Sequence, residues 1–361
     1  MKIYKLIILL LIPILLTGCN TNYQSLNDMA IVSSILIDKD ENDNYITYIE
    51  LYKEEKNENK SKKTSYFVKG LGKTIKSSMN DASSSISRNL YYVHINAVIF
   101  SKKVSETNME DLFNYLVSRV QINSNYYILI SDNIKELLDT KDGDNGILGE
   151  KIEKLITNST NSGTMANYDF MEKLRNFTNP NKDIYLNKIE VRNNLTTIKD
   201  GYYFNGKKLA GELSNDELKL INLFKEPKNI YFTFFYKNNY YNLKIDSSDV
   251  KYSIKDKIYI TLNIKANINT AGENLKISKI DVINELNKHT EASLNEKLCD
   301  FLNNIKNDKS DILGINDYIY RIYGKKKLDF FKDDFDVKTS VVINKKGLVH
   351  DTLGGYYEEK E

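Results

Sequence analysis

The chain has 361 residues, with 51 Lys and Arg against 49 Asp and Glu and a hydrophobic fraction of 41%. That balance argues against a basic surface for nucleic acid, and no acidic tail marks a solvating arm. Apolar content is sufficient for folded cores, and at roughly 150 residues per domain the length suggests two or three domains.

Met1-Lys2-Ile3-Tyr4-Lys5 places two lysines ahead of an apolar run from Leu6 to Leu16. This is the charge and hydropathy order of a signal peptide. The run is shorter than the roughly 20 apolar residues a membrane-spanning helix needs, and Pro13 interrupts it. It ends in Leu16-Thr17-Gly18-Cys19, which resembles the bacterial lipobox. Small residues let an extended chain enter a signal peptidase, and the thiol is the nucleophile that takes a diacylglyceryl group. Residues 1–18 are therefore expected to be a lipoprotein signal peptide, and Cys19 the lipidation site. Two or three acyl chains of the palmitate class would keep the mature chain on a membrane, since one alone binds marginally at about 0.8 kcal/mol per buried CH₂. The other reading, a buried cysteine ending a core helix, leaves the coincidence of charge, length and small residues unexplained. Cys299 is then left unpaired, so no disulfide framework is expected.

After a polar tether, residues 20–26, Ile31 to Ile37 read as a largely buried strand. A polar turn at 38–44 leads to a return strand over Tyr45 to Leu51, which together make a β-hairpin. Residues 57–63 read as a charged loop and Tyr66-Phe67-Val68 as a short strand. Leu71, Ile75, Met79, Ala82 and Ile86 recur at helical spacing. Strands are expected at Tyr92 to Phe100, Tyr126 to Ile130 and Ile184 to Val191, with helical stripes around Leu112 to Val120, Ile134 to Leu138, Ile152 to Ile156 and Phe170 to Leu174. Residues 142–146 read as a loop. Ile230 to Tyr236 alternates, and Ile258 to Ile268 does so without a fault. A long helix through Leu294 to Ile305 and a strand through Phe335 to Ile343 follow. Period-2 strands on both sides of helices define an α+β chain with mostly antiparallel sheets packed on helices.

Possible chemistry is sparse. Gly72-Lys73-Thr74 mimics the end of a P-loop, but the earlier glycine such a loop needs is Phe67, so a helix N-terminus after a turn is expected. Asp38, Asp40 and Asn42 have calcium-loop spacing. Asp43 and Ile49, however, stand where that loop needs Gly and Glu, so a polar hairpin turn is expected. His94, His289 and His350 are far apart and give no zinc set. His94 reads as a hydrogen-bonded structural residue. Cys299, beside Leu298 on the long helix, reads as structural rather than reactive. The Tyr-rich stretch Tyr231 to Tyr241 is either a strand with one buried face, which is favoured, or a partner surface. No catalytic residues, metal ligands or cofactor-binding residues are assigned, and no cofactor is expected.

Three stretches, taken in order, resemble one family. Asp28 to Val32 leads to Ile37-Asp38 soon after Cys19. Gly72 to Ile75 is followed by Arg88 to Tyr91, His94 and Val98 to Ser101. Gly201-Tyr202-Tyr203-Phe204 precedes Lys208 to Leu213 and Glu217, and a weaker stretch, Lys309 to Gly314, follows the long helix. With the lipobox these resemble the Ger(x)C lipoproteins, the C subunits of spore germinant receptors, over nearly the whole chain. Two departures stand out: the family's Trp after the lipid Cys is missing, and Glu212 stands where an aromatic is common. The resemblance implies three α+β domains in an elongated arrangement and a place on the outer face of the spore inner membrane. It also implies partnership with the membrane-spanning A and B subunits of a receptor for small nutrient germinants. It transfers no catalytic residues. A division into an N-terminal region, 19–195, and a C-terminal domain, 196–361, is expected. The competing reading is a solute-binding lipoprotein of a transporter, which needs parallel sheets and a cleft between two lobes.

Overall fold

The computed structural model describes residues 28–344 apart from 58–59, 108, 119–124, 141–145, 162–169, 226–229, 273–274, 278 and 325–327. The signal peptide, Cys19, the loop at 142–145 and His350 lie outside the described residues.

The expected hairpin is formed by β1 (Met29–Lys39) and β2 (Tyr45–Asn57), paired antiparallel. Asp40 shapes its turn. The carboxylate accepts N–H from Asn42 and Asn44, both at 2.8 Å, and Asp43 takes φ 58°. This is side-chain mimicry of a backbone turn. The hydrogen bond from the Asn44 side chain leads the effects that hold the Asp40 carboxyl below its ordinary value.

The charged loop expected at 57–63 is instead mostly strand, because β3 (Lys60–Gly72) continues the hairpin. Its register sets Glu54 opposite Lys63. Opposite charges across a ladder stabilise strands that composition alone assigns to loop.

α1 (Ile75–Ser84) follows, with Ile75, Met79 and Ala82 buried. Leu71, placed on this stripe by its spacing, belongs to β3 and is 49% exposed. The strand expected at 92–100 is shorter. β4 (Asn89–Tyr91) and β5 (Ala97–Ser101) flank a turn in which Ile95 N–H bonds to Tyr92 O at 3.1 Å. Then come α2 (Lys102–Thr107), α3 (Met109–Val117), β6 (Tyr127–Ser131), α4 (Ile134–Asp139), α5 (Leu148–Asn161), α6 (Phe170–Thr178) and β7 (Tyr185–Arg192). β8 (Leu195–Asn205) and β9 (Lys208–Leu213) complete a nine-stranded sheet ordered β3-β2-β1-β5-β6-β7-β8-β9, with β4 beside β1.

The α+β class holds, and the sheet is mixed. Its centre, β1-β5-β6-β7, is parallel, and both flanks are antiparallel. Helices cover both faces of that centre, so β1 is buried without a break from Val32 to Ile37. Two cores result. Phe113, Tyr126 and Phe170 stack within one, and Leu36, Ile99, Leu129 and Ile152 fill the other.

After α7 (Asn215–Phe224), a second sheet runs β10 (Ile230–Tyr236), β11 (Asn239–Ile254), β12 (Ile258–Ala271) and β13 (Phe335–Asn344). β12 is antiparallel to β11 and parallel to β13. Its alternation reports that one face is buried and says nothing of direction. α8 (Ile280–Asn307) lays Leu286, Leu294, Leu298, Phe301, Leu302 and Ile305 on that face. Each such side chain contributes about 1.5–3 kcal/mol on burial. α9 (Ile315–Tyr323) packs Ile315 and Ile319 into the same core. No helix among the described residues is long and apolar enough to cross a membrane.

Candidate functional site

The region that joins the two sheets is densely hydrogen-bonded. After α8 the chain turns through Lys309, at φ 54°, into Ser310 and Asp311, both buried. The Ser310 hydroxyl donates to Phe204 O on β8. Asp183 N–H donates to Asp311 O at 3.0 Å, and Asp311 N–H donates back to the Asp183 carboxylate at 2.7 Å. The Asp183 carboxylate also takes Gly206 N–H at 2.6 Å, and Asn179 Nδ2 donates to Asp317 on α9 at 2.9 Å.

The Asp311 carboxylate then accepts N–H from Gly314, Ile315 and Asn316 at 2.6–2.9 Å, capping α9 from three residues upstream. Burial outweighs those donors and pushes the Asp311 carboxyl up to about 7. Asp183 is raised as well, again chiefly by burial. The stretches Gly201 to Phe204 and Lys309 to Gly314, which carried part of the family resemblance, meet here.

A charged cluster surrounds Tyr202 at the carboxyl ends of β5 and β6. The Tyr202 hydroxyl donates to Asp132, and Lys188 pairs with Asp132 at 2.5 Å. Lys102 pairs with Glu212 at 2.9 Å and sits 5.2 Å from the Tyr202 ring centre. Burial raises Asp132, but the Lys188 and Tyr202 hydrogen bonds overcome it and leave the carboxyl below its ordinary value. Glu212, the departure from the family's aromatic, is therefore held by a lysine.

An open cleft of about 600 Å³ lies at the other end of those strands, lined by residues including Tyr52, Lys53, His94, Asn96, Glu150 and Lys154. Asn96 Nδ2 donates to Glu153 at 2.9 Å. Burial pushes the Tyr52 hydroxyl up to about 12.

The candidate chemistry resolves into packing. Thr74 caps α1 and exchanges hydrogen bonds with Ser77 in a capping box. Gly72 lies so close to the start of α1 that a Cβ would come within 2.4 Å of Ser78 N. His94 lines the cleft and meets the Tyr91 ring edge-on, centroids 6.1 Å apart. His289 bonds through Nδ1 to the Tyr241 hydroxyl at 2.9 Å, and burial lowers its pKa. Among the described residues no group of three or more His, Cys, Asp or Glu is arranged to hold a metal. Cys299 is half-buried, and burial pushes its thiol up. The stretch Tyr231 to Tyr241 forms β10 and the start of β11, with Phe232, Phe234 and Tyr241 buried and Phe235 and Tyr240 exposed.

Two polar sites were not picked out by reading the sequence. Glu50 on β2 is fully buried, and accepts from the hydroxyls of Ser34 and Ser65 and the N–H groups of Leu148 and Gly149. A carboxylate between Ile49 and Leu51 in an apolar strand is a readable signal for such a site. Lys173 is buried on α6, with Nζ 2.7 Å from Tyr185 O and 3.9 Å from the Tyr185 ring centre. Burial pulls its pKa down to about 7.

Comparison with known proteins identifies a spore germination protein. Residues 22–191 match the family model described as the spore germination protein N-terminal domain. Residues 199–347 match the one described as spore germination B3/GerAC like, C-terminal. The chain belongs to the GerAC-like family, the C subunits of germinant receptors. Its fold is similar to the crystal structure of the GerBC protein, with a TM-score of 0.51 and 14% identity over 86% of this chain and 96% of that one. Comparison with curated proteins gives no match.

Proposed function

We propose that this chain is the lipid-anchored, non-catalytic C subunit of a germinant receptor. It is held on the outer face of the spore inner membrane through Cys19 and assembles there with the membrane-spanning A and B subunits. The observation that carries this reading is positional. The family match begins at residue 22, three residues after Cys19 of Leu16-Thr17-Gly18-Cys19, so the matched region lies just beyond the point where a lipoprotein would be cut and acylated. Anchoring would confine the search for partners to two dimensions and raise effective concentration without new contacts. The Glu50 and Asp311 carboxylates are buried and each accept several N–H or O–H groups, which suits a rigid assembly part.

The transporter reading is not favoured. Among the described residues the cleft is lined by positions between Ile31 and Lys154, from the first sheet, the turn before β5 and α5, and not by the second sheet. The test is Cys19→Ala in the sporulating host, with spore-membrane fractionation and a germination assay. Loss of membrane retention with a weaker nutrient response is expected. Full retention together with an unmodified, uncleaved leader by mass spectrometry overturns the proposal.

A further inference from the structure

We propose that the last turn of α9 seats on the lipid surface to which the chain is anchored; this rests on the anchoring through Cys19 proposed above. Tyr320, Ile322 and Tyr323 are 47%, 59% and 41% exposed. Tyr323 follows buried Ile319 by four residues and buried Asn316 by seven, so it lies on the inward face of the helix and is exposed nonetheless. The helix therefore runs out past the core. Gly324, at φ 71°, ends it there with a bond from its N–H to Tyr320 O at 2.9 Å. A projecting turn of Tyr, Arg, Ile and Tyr has the composition of a membrane-interface anchor. The tyrosines place a ring in the acyl boundary and a hydroxyl in the headgroups, and Ile322 adds apolar area; Arg321 pairs with Asp317 at 3.0 Å through one nitrogen, and its exposed guanidinium keeps further donors for anionic headgroups.

Position supports the same occupant. β1, β5, β6 and β7 run parallel, so their N-terminal ends lie along one edge of the first sheet. The described chain enters β1 at that edge, from Asp28. α9 is fastened to the segment entering β7 at the same edge, through Asn179 to Asp317 and Asp183 to Asp311. Residues 20–27 can reach at most about 30 Å, at roughly 3.3–3.6 Å per residue. The acylated cysteine would thus hold this edge, and α9 with it, toward the bilayer.

The chain contains no Trp, so a single introduced indole reports alone. Ile322→Trp and, as control, Phe235→Trp would be made in the full-length lipidated chain, both at exposed sites. Tyr318 on α9 meets Tyr252 on β11, whereas Phe235 pairs with Tyr240, twelve residues back along that strand and so about 40 Å away. Each variant would be reconstituted into vesicles of phosphatidylglycerol and phosphatidylcholine, with flotation measured beside fluorescence. The expected result is flotation of both, with a blue shift and strong quenching by brominated lipid for Ile322→Trp and neither for Phe235→Trp. Flotation without quenching of Ile322→Trp overturns this inference and leaves the anchor standing. Equal quenching of both variants overturns it too, as does quenching that appears only when receptor A and B subunits are present, which would make the turn a protein contact. Failure of the lipidated chain to float overturns the anchor itself.

Discussion

Asp183 and Asp311, 128 residues apart, bind each other twice: backbone N–H to carbonyl at 3.0 Å one way, and backbone N–H to carboxylate at 2.7 Å the other. The same Asp311 side chain caps α9, so one residue joins the two sheets and starts a helix. In Asp311→Ala three buried N–H groups lose the carboxylate; Gly314 N–H keeps the Asp311 carbonyl at 3.2 Å, while those of Ile315 and Asn316 are left behind. The expected loss is about 3 kcal/mol in a denaturant titration, combining a missing cap with unsatisfied buried donors. A loss below about 0.5 kcal/mol would show that water replaces the carboxylate at no cost.

The same carboxyl makes stability depend on pH. Its folded pKa of about 7 lies above the ordinary 3.8, so between these values the folded chain keeps a proton that the unfolded chain has released. Stability should therefore fall as pH rises from about 4 to 7 and level off above, by up to about 1.4 kcal/mol per pH unit from this group. Raised Asp183 acts in the same sense. Asp311→Asn should flatten the fall. A slope unchanged by that substitution would assign the effect to other groups.

Glu50 is the second buried carboxylate with a structural duty. Its oxygens receive Leu148 N–H at 2.6 Å and Gly149 N–H at 3.0 Å, at the start of α5. Glu50→Ala should cost about 3 kcal/mol, because the donors stay buried without a partner. Amide exchange should quicken first at residues 148–150. If exchange there stays slow, α5 does not depend on this cap.

Much of the fold was open to reading in advance, and the limits have physical causes. The β1–β2 hairpin, the stripe on α8 and the burial of one face of β12 follow from short-range periodicity. The parallel pairing of β12 with β13 does not, since either direction buries the same alternating residues. The strand character of the charged ends of β2 and β3 is hidden because cross-strand pairing, absent from composition, makes them strand. The Asp183–Asp311 link needs a fold before it can exist. Ser214 and Glu217 do form a local signature, the capping box that opens α7, and it marks a helix that periodicity alone had not brought out.

Close packing gives a further test. A Cβ at Gly70 would stand 2.1 Å from Ser78 O and 2.4 Å from Ala82 N, both backbone atoms of α1. Gly70→Ala should force α1 off β3 and cost about 3 kcal/mol or more. Gly206→Ala, at φ 58° with nothing within 4 Å, should cost only about 1 kcal/mol, the backbone penalty. Thermal melts of the two variants should differ clearly, and similar melting temperatures would contradict the packing described.

The pairing of β7 with β8 bears on how this family can be recombined. β8 and β9 finish the first sheet, yet β9 and most of β8 belong to the segment matched by the second family model. A chimaera spliced between residues 191 and 199 would ask strands from one relative to zip onto a ladder grown in another. The seam that inheritance suggests and the seam that hydrogen bonding permits are different places, and swaps made after Leu213 should survive where swaps made at the earlier point fail.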